Sequence, residues 1–147
     1  MHVIELRRRA IDMKLENIGR ASNRGLEANA RWRIVRRVSL SSGYAYLSST
    51  NLAPYVPENK FNYSLDVDLS HVFVSIGAST VGRTWANTAR TIRLDGYTAA
   101  TLKCTIPAGR RLSIFAMVDN LFNQGYQEIA GYPMPGTNAS GGVRIKF

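Results

Sequence analysis

The feature of this sequence that most constrains its fold is a strict alternation of apolar and polar residues in FNYSLDVDL, residues 61–69. One set of alternate positions is apolar: Phe61, Tyr63, Leu65, Val67 and Leu69. The positions between them are polar: Asn62, Ser64, Asp66 and Asp68. Because successive side chains of a strand point to opposite faces, this pattern predicts a β-strand with one apolar and one polar face.

A period of two recurs, less strictly, in other parts of the chain. One set of alternating positions is Val38, Leu40, Ser42, Tyr44 and Tyr46, and others are Val72, Val74, Ile76 and Ala78, and Leu112, Ile114, Ala116 and Val118. GLEANARW and YTAATLKCTI indicate strands more weakly. We expect about seven strands, near residues 24–33, 37–47, 60–69, 72–82, 94–105, 110–119 and 140–147.

The connections between these predicted strands alternate in length. Short ones fall around residues 34–36, 70–71 and 106–109, and long ones cover 48–59, 83–93 and 120–139. The sequence therefore predicts an all-β, antiparallel up-and-down meander with its short turns at one end. Outer-membrane barrels pair short periplasmic turns with long extracellular loops in this way. A soluble antiparallel sheet with one solvated face has the same alternation, so the pattern alone leaves both classes open.

The two faces have different solvent requirements. Polar side chains such as Asn62 and Asp66 would be costly in a dry core, but they suit the wall of a wet or plugged lumen. An apolar face that ends in Tyr44 and Tyr46, or in Tyr97, suits a lipid-facing band with interfacial aromatic residues. We therefore expect lipid on one face and a lumen on the other.

The composition is strongly basic, and the sequence contains few patterns that would indicate a catalytic or metal site. The net charge of +9 and a pI near 10.2 indicate a phosphate-rich partner, either nucleic acid or an anionic membrane surface, or else a solvated basic surface. Cys104 is the single cysteine, and His2 and His71 have no metal-ligand spacing. Asp66 and Asp68 resemble an acid–base pair, but lumen-facing polar residues explain them better. We predict no enzyme activity and no cofactor.

A family resemblance comes from the segment VDNLFNQGYQEIAGYPMPG, residues 118–136. It resembles the C-terminal region of the TonB-dependent outer-membrane receptors through Asn120, Leu121, Phe122, Tyr126, Gly131, Tyr132, Pro133, Pro135 and Gly136. Asn17, Ala21, Gly25 and Glu27 resemble an upstream segment of that family. Thr137 departs from it, since the family commonly has arginine after the glycine.

The resemblance implies the C-terminal segment of a 22-stranded transmembrane barrel that closes around an N-terminal plug. Such receptors take up ferric siderophores, cobalamin or similar nutrients across the Gram-negative outer membrane with energy relayed through TonB. Residues 1–147 would form an N-terminally truncated part of the barrel, with 1–22 an irregular, extracellular-loop-like lead-in, 23–147 strands, and no plug. The TonB complex would act only through the missing plug region, and the fragment alone would not transport.

Two sets of residues follow from the same resemblance. Ser140, Gly142, Ile145 and Phe147 match the C-terminal signal that the barrel-assembly machinery reads. The ligand, a small nutrient chelate, would meet long-loop residues, for which the candidates are Tyr55, Trp85, Arg90 and Tyr132. The other expected partners are outer-membrane lipid and lipopolysaccharide, with no nucleic acid. The alternative is a soluble basic β-barrel or sandwich that binds nucleic acid.

Overall fold

The computed structural model describes residues 23–49 and 53–146. Within them every regular element is a β-strand. The predicted lead-in over 1–22, with Asn17 and Ala21, and the terminal Phe147 lie outside the described residues.

Eleven strands form one large sheet and two small hairpins. They are β1 (Asn23–Val35), β2 (Val38–Ser49), β3 (Asn59–Asp68), β4 (Phe73–Val81), β5 (Thr84–Trp85), β6 (Arg93–Leu94), β7 (Tyr97–Pro107), β8 (Leu112–Asp119), β9 (Gln127–Ile129), β10 (Tyr132–Pro133) and β11 (Asn138–Ile145). The large sheet has the order β1-β2-β3-β4-β7-β8-β11, with every neighbouring pair antiparallel.

The predicted meander is confirmed. Each of the seven predicted strands corresponds to one strand of the large sheet, in sequence order. Short connections at 36–37, 69–72 and 108–111 lie at one end, which we call the turn end. Long connections, described at 53–58, 82–96 and 120–137, lie at the other, the loop end.

The strand register builds one continuous apolar face. Leu65 lies opposite Leu40 on one side and Ile76 on the other. Ile76 lies opposite Leu102, which lies opposite Val118. Since directly paired residues of antiparallel strands point to the same side, these side chains form a row across the sheet. The apolar face predicted from residues 61–69 therefore continues over all the central strands.

This apolar face is not covered by a second layer in the described residues. Large side chains on it remain open, with Trp32 64% and Ile76 39% exposed, and Leu94, Ala100 and Asn120 are the only buried residues in the whole of the described chain. Aromatic residues cluster toward its loop end, where the Phe61 ring lies 5.3 Å from Tyr44 and 6.4 Å from Tyr63. An uncovered apolar face with an aromatic band near one end is the surface that lipid requires.

The opposite face is polar. Ser39 lies opposite Arg33 and Asp66, Asp66 lies opposite Ser75, and Ser75 lies opposite Lys103. Each residue of this row alternates along its strand with a residue of the apolar face. The polar face is therefore the side that the alternation assigned to a lumen.

The structure corrects the prediction for Tyr97. Tyr97 lies opposite Val81, which lies opposite Lys60, so its side chain belongs to the polar face rather than to the lipid-facing band. The strand begins at Tyr97 instead of residue 94, because Leu94 pairs with Thr84 in the small β5–β6 hairpin. At Gly96 a side chain would come within 2.8 Å of the Val81 carbonyl oxygen, so the close approach of the two chains requires glycine.

Candidate functional site

A depression of about 530 Å³ lies on the polar face at the loop end, and we call it the loop-end depression. Its charged and aromatic lining includes Lys60 from β3, Tyr97 from β7, Glu128 from β9 and Asp95 from the connection between β6 and β7. Tyr55, from the loop that precedes β3, completes one side. The large sheet holds Lys60 and Tyr97 at fixed register, while the long connections at the loop end supply Tyr55 and Glu128.

At this depression Tyr97 contacts both Glu128 and Tyr126. The Tyr97 hydroxyl donates a hydrogen bond of 2.7 Å to Glu128 Oε1. The Tyr97 ring stacks on that of Tyr126, with centroids 4.0 Å apart and planes 20° from parallel. Burial, followed by the negative charges of Glu128 and Asp119, raises the pKa of the Tyr126 hydroxyl. The stack therefore fixes the loop after β8 against the wall.

The two long loops on either side of β3 and β4 are joined through their backbones. The Tyr55 N–H donates to the Trp85 carbonyl oxygen at 2.7 Å. The hairpin that carries Trp85 is ordered at its tip by Asn87, whose amide donates to Thr91 Oγ1 at 2.7 Å and whose Oδ1 accepts from the Thr91 N–H at 3.0 Å. These contacts give the loop end a defined shape.

Asn120 closes the longest loop. Its amide group donates to the carbonyl oxygens of Gln124 (2.9 Å) and Pro135 (3.1 Å), and its Oδ1 accepts from the Gln124 N–H at 2.8 Å. Its own carbonyl oxygen accepts from the Thr137 hydroxyl at 2.9 Å. With 5% exposure and φ of 49°, Asn120 uses a conformation that asparagine tolerates better than most residues. Asn120 is thus a structural residue that joins both ends of the loop.

The other residues of the same segment support this closure. The Asn123 Oδ1 accepts from the Thr137 N–H at 3.1 Å. A Cβ at Gly136 would overlap Asn123 Oδ1, so glycine is required beside that contact. Thr137, the position that departs from the receptor pattern, therefore contributes two hydrogen bonds to loop closure.

The residues of the predicted assembly signal lie on β11, at the edge of the large sheet. Ser140 and Gly142 are on the polar face, opposite Met117 and Phe115, and Ile145 is on the apolar face, opposite Leu112. A Cβ on Gly142 would lie 3.0 Å from the Phe115 ring, so this ring covers the glycine directly. Phe147 lies outside the described residues, so the signal stays a prediction.

The four predicted ligand contacts are not all brought together. Tyr55 lines the loop-end depression and is bonded through its backbone to Trp85. Arg90 is exposed in the turn between β5 and β6, and Tyr132 is 70% exposed on the β9–β10 hairpin. Neither lines the depression.

Sequence reasoning missed Lys60, Tyr97 and Glu128 as lining residues. Tyr97 was assigned to the wrong face, and Glu128 lies in a segment whose position depends on a long loop. Lys60 carried a usable signal, since it lies two residues before Asn62 and so on the predicted polar face of the best-patterned strand.

The aspartates considered as an acid–base pair have structural partners. Asp66 Oδ1 accepts from the Ser75 hydroxyl at 2.6 Å, and Asp68 Oδ1 accepts from the Ser70 N–H at 2.8 Å.

Across residues 23–49 and 53–146, no group of three or more His, Cys, Asp or Glu side chains is placed to hold a metal ion. The same residues include no helix of the length and apolar character needed to cross a bilayer.

A two-faced antiparallel meander with segregated loop lengths is typical of the wall of an outer-membrane barrel. Comparison with known proteins gives the family. A family model described as TonB dependent receptor-like, beta-barrel, matches residues 3–121. The chain belongs to this family, whose barrels lie in the Gram-negative outer membrane and whose members are transporters rather than enzymes.

Solved structures show the same fold at low sequence identity. The siderophore receptor PiuA from Acinetobacter baumannii is 18% identical with a TM-score of 0.76, over 89% of this chain and 22% of that one. The ferric yersiniabactin uptake receptor FyuA from Yersinia pestis is 21% identical with a TM-score of 0.69, over 86% and 24%. The copper transporter OprC is 17% identical with a TM-score of 0.74, over 86% and 24%.

The chain therefore spans less than a quarter of each of these receptors. No curated protein matches it.

Proposed function

We propose that this chain forms part of the wall of an outer-membrane receptor for active uptake of a scarce nutrient, powered through TonB. The observation that carries the proposal is the two-faced meander, with an uncovered apolar face, a polar face and long loops at one end. Family membership favours this function over the soluble nucleic-acid-binding module.

The proposed ligand is a small metal chelate, with a ferric siderophore or cobalamin as the main candidates. Two of the similar structures are named as siderophore receptors or uptake receptors and one as a copper transporter, so the neighbours favour metal-containing cargo. In this chain the loop-end depression offers Lys60 as a cation beside the carboxylates of Asp95 and Glu128, with Tyr55 as an aromatic surface. We propose that a chelate passes this part of the wall, with Trp85, Arg90 and Tyr132 contributing from the loops.

Transport by the fragment alone is not part of the proposal. β1 and β11 are the two edges of the large sheet. In lipid an edge strand leaves backbone N–H and C=O groups without partners, at a cost of several kcal/mol for each group. We therefore propose that further strands pair with both edges and that residues 23–147 act as one segment of a closed barrel.

Two further partners belong to this proposal. Ser140, Gly142, Ile145 and Phe147 would be read by the barrel-assembly machinery, so deleting Phe147 should lower the amount of barrel in the outer membrane. Arg83, Arg90 and Arg93 lie in the long connection at the loop end, where lipopolysaccharide phosphates would lie; Arg93 is 3.5 Å from Asp95.

Uptake of radiolabelled ferric siderophore by cells whose receptor carries this chain tests the function. Tyr55→Ala and Lys60→Gln should raise the half-saturating ligand concentration several-fold at unchanged receptor abundance. Arg110→Gln, in the short turn 108–111, is the matched control and should leave uptake unchanged. Uptake that persists without TonB, or recovery of the chain in the soluble fraction, would overturn the proposal.

A further inference from the structure

Three cationic side chains lie together at the turn end, where the apolar face stops. Arg110 and Arg111 belong to the turn between β7 and β8, and Lys146 directly follows β11. The Lys146 N–H donates to the Arg111 carbonyl oxygen at 2.8 Å, so the end of β11 is held beside this turn. All three residues are exposed. We call them the turn-end cations.

The strands that carry these cations have no carboxylate side chain at the turn end. Residues 96–118 and 138–147 include β7, β11 and all of β8 except its last residue, and they contain no Asp or Glu. That last residue, Asp119, lies at the loop end. The loop end itself is different, since Arg93 there lies 3.5 Å from Asp95. The positive charge of the turn-end cations is therefore not offset by an acidic residue of their own strands.

Two rows of exposed aliphatic side chains adjoin the cations on the apolar face. The first row pairs Leu112 with Ile145, and in the second row Ile114 lies opposite both Ile106 and Val143. Their exposed fractions lie between 37% and 59%. An open aliphatic surface of this kind suits the acyl chains of lipid. A ligand with a negative group and acyl chains could therefore contact the cations and the two rows together.

The cations can reach the rim of the apolar face. Alternation turns Arg111 and Lys146 toward the polar side, because their neighbours Leu112 and Ile145 are on the apolar side. Both cations lie beyond the last pair of β8 with β11, however, so paired backbone no longer separates the two faces there. Long Lys and Arg stems lie along apolar surface while their charged ends reach a polar boundary. Arg110 lies in the turn itself, where alternation does not apply.

We propose that the turn-end cations bind the phosphate of an anionic phospholipid in the leaflet at the turn end, with its acyl chains on the two aliphatic rows. Guanidinium and ammonium groups hold phosphate oxygens through charge-assisted hydrogen bonds. A zwitterionic headgroup would bring its own ammonium among three cations, where β11 and the turn-end part of β8 offer no carboxylate to receive it. A headgroup with net negative charge is therefore preferred. The proposal rests on the apolar face meeting lipid and does not depend on which nutrient is transported.

Quenching of a fluorescent label by brominated lipid tests the proposal in the receptor that carries this chain. The label would be attached to a cysteine in place of Val143, beside the cations, or of Ile76, at the centre of the apolar face, in a Cys104→Ala background. Nanodiscs would contain phosphatidylglycerol and phosphatidylethanolamine with identical acyl chains, with either one brominated. At 143 we expect a preference for phosphatidylglycerol of about fivefold or more, since each cation near an anionic lipid surface contributes about that factor. At 76 we expect a preference within about twofold of none.

Charge variants separate these side chains from the general basicity of the chain. Replacing all three turn-end cations by glutamine should abolish the preference at 143. The matched control, Arg83→Gln with Arg90→Gln and Arg93→Gln, removes the same charge at the loop end and should leave it unchanged. Arg110→Glu with Arg111→Glu should make phosphatidylethanolamine the preferred lipid at 143, a reversal that misfolding cannot produce.

Three results would overturn the proposal: equal preferences at positions 143 and 76, a preference at 143 that survives the loss of the turn-end cations, or its removal by soluble glycerol phosphate, which has no acyl chains. Because the measured quantity is lipid contact and not uptake, each of these results would leave the proposed transport function standing. A receptor that does not enter bilayers at all would contradict both proposals.

Discussion

At the scale of single residues, Asn120 shows why part of the sequence motif is structural. The side chain and carbonyl of this residue bond to Gln124, Pro135 and Thr137, so one buried residue joins both ends of the connection between β8 and β11. The motif was recognisable in the sequence. Its role was not, because the bonds to Pro135 and Thr137 cross 15 and 17 residues.

Replacing this residue should weaken the loop. Asn120→Ala removes three side-chain hydrogen bonds and places alanine at φ of 49°. We expect a loss of about 2–3 kcal/mol in the free energy of unfolding, measured by urea titration in micelles, since each bond contributes about 1 kcal/mol. Gln124→Ala is the control, because that exposed side chain bonds only to the adjacent Gly125 carbonyl. An equal loss in the two variants would contradict the assigned role.

Tyr97 marks the limit of residue-level prediction. Its place in an apolar, β-prone segment favoured the lipid face, whereas the register places it with Lys60 on the polar face. Alternation gives the relative faces of neighbouring residues, but YTAATLKCTI alternates too poorly to fix its own phase. The contact of Gly96 with the backbone of Val81 is a tertiary feature that the sequence does not show.

At the scale of elements, the seven long strands were predictable and the two small hairpins were not. A long strand can be predicted because its apolar and polar residues alternate over many positions, as in residues 61–69. β5–β6 and β9–β10 pair only two or three residues per strand, too few for any period to appear. Their positions depend on contacts such as those of Asn87. The sequence predicted where the long loops lie along the chain, but not the hairpins within them.

The pairing of β4 with β7 includes a polar contact on the apolar face. The Thr80 and Thr98 hydroxyls lie 2.9 Å apart and hydrogen-bond to each other. Thr80→Val alone should cost about 1 kcal/mol of stability, because it leaves the Thr98 hydroxyl without this partner. The double variant Thr80→Val with Thr98→Val should be nearly neutral, because both polar groups are then removed. Additive losses in this double-mutant cycle would contradict the pairing.

The docking of the loop that carries Tyr126 and β9 against β7 should depend on pH. Because the pKa of Tyr126 is raised, the neutral hydroxyl favours the docked loop fully below about pH 10, and this contribution is lost as pH rises through the folded-state pKa. Glu128→Gln removes a negative charge but keeps an acceptor for Tyr97, so it should move the Tyr126 pKa down toward its usual value. Titration of the ¹³Cζ resonance of Tyr126 measures this, with Glu58→Gln as the control. An unchanged pKa in the Glu128 variant would contradict the arrangement.

At the scale of the whole molecule, the sequence was sufficient to predict the large sheet and its apolar and polar faces, because both follow from local alternation and connection lengths. The loop-end depression and the rows across the sheet could not be predicted, since each collects residues from strands far apart in sequence. Arg33 and Lys103, for example, lie in the same row across the sheet only because four successive strand pairings align them. The large sheet leaves β1 and β11 at its edges, which is consistent with a chain that matches less than a quarter of each receptor compared.

The central claim is that one face of this sheet meets lipid and the other meets water, and spin labelling along β3 tests it most directly. Single cysteines would replace each residue from Asn62 to Asp66 in a Cys104→Ala background, with the receptor that carries the chain in lipid bilayers. Labels at 63 and 65 should be relaxed mainly by oxygen, which partitions into lipid, and labels at 62, 64 and 66 mainly by a water-soluble nickel chelate. Uniform access of the nickel chelate, or alternation in the opposite phase, would contradict the account.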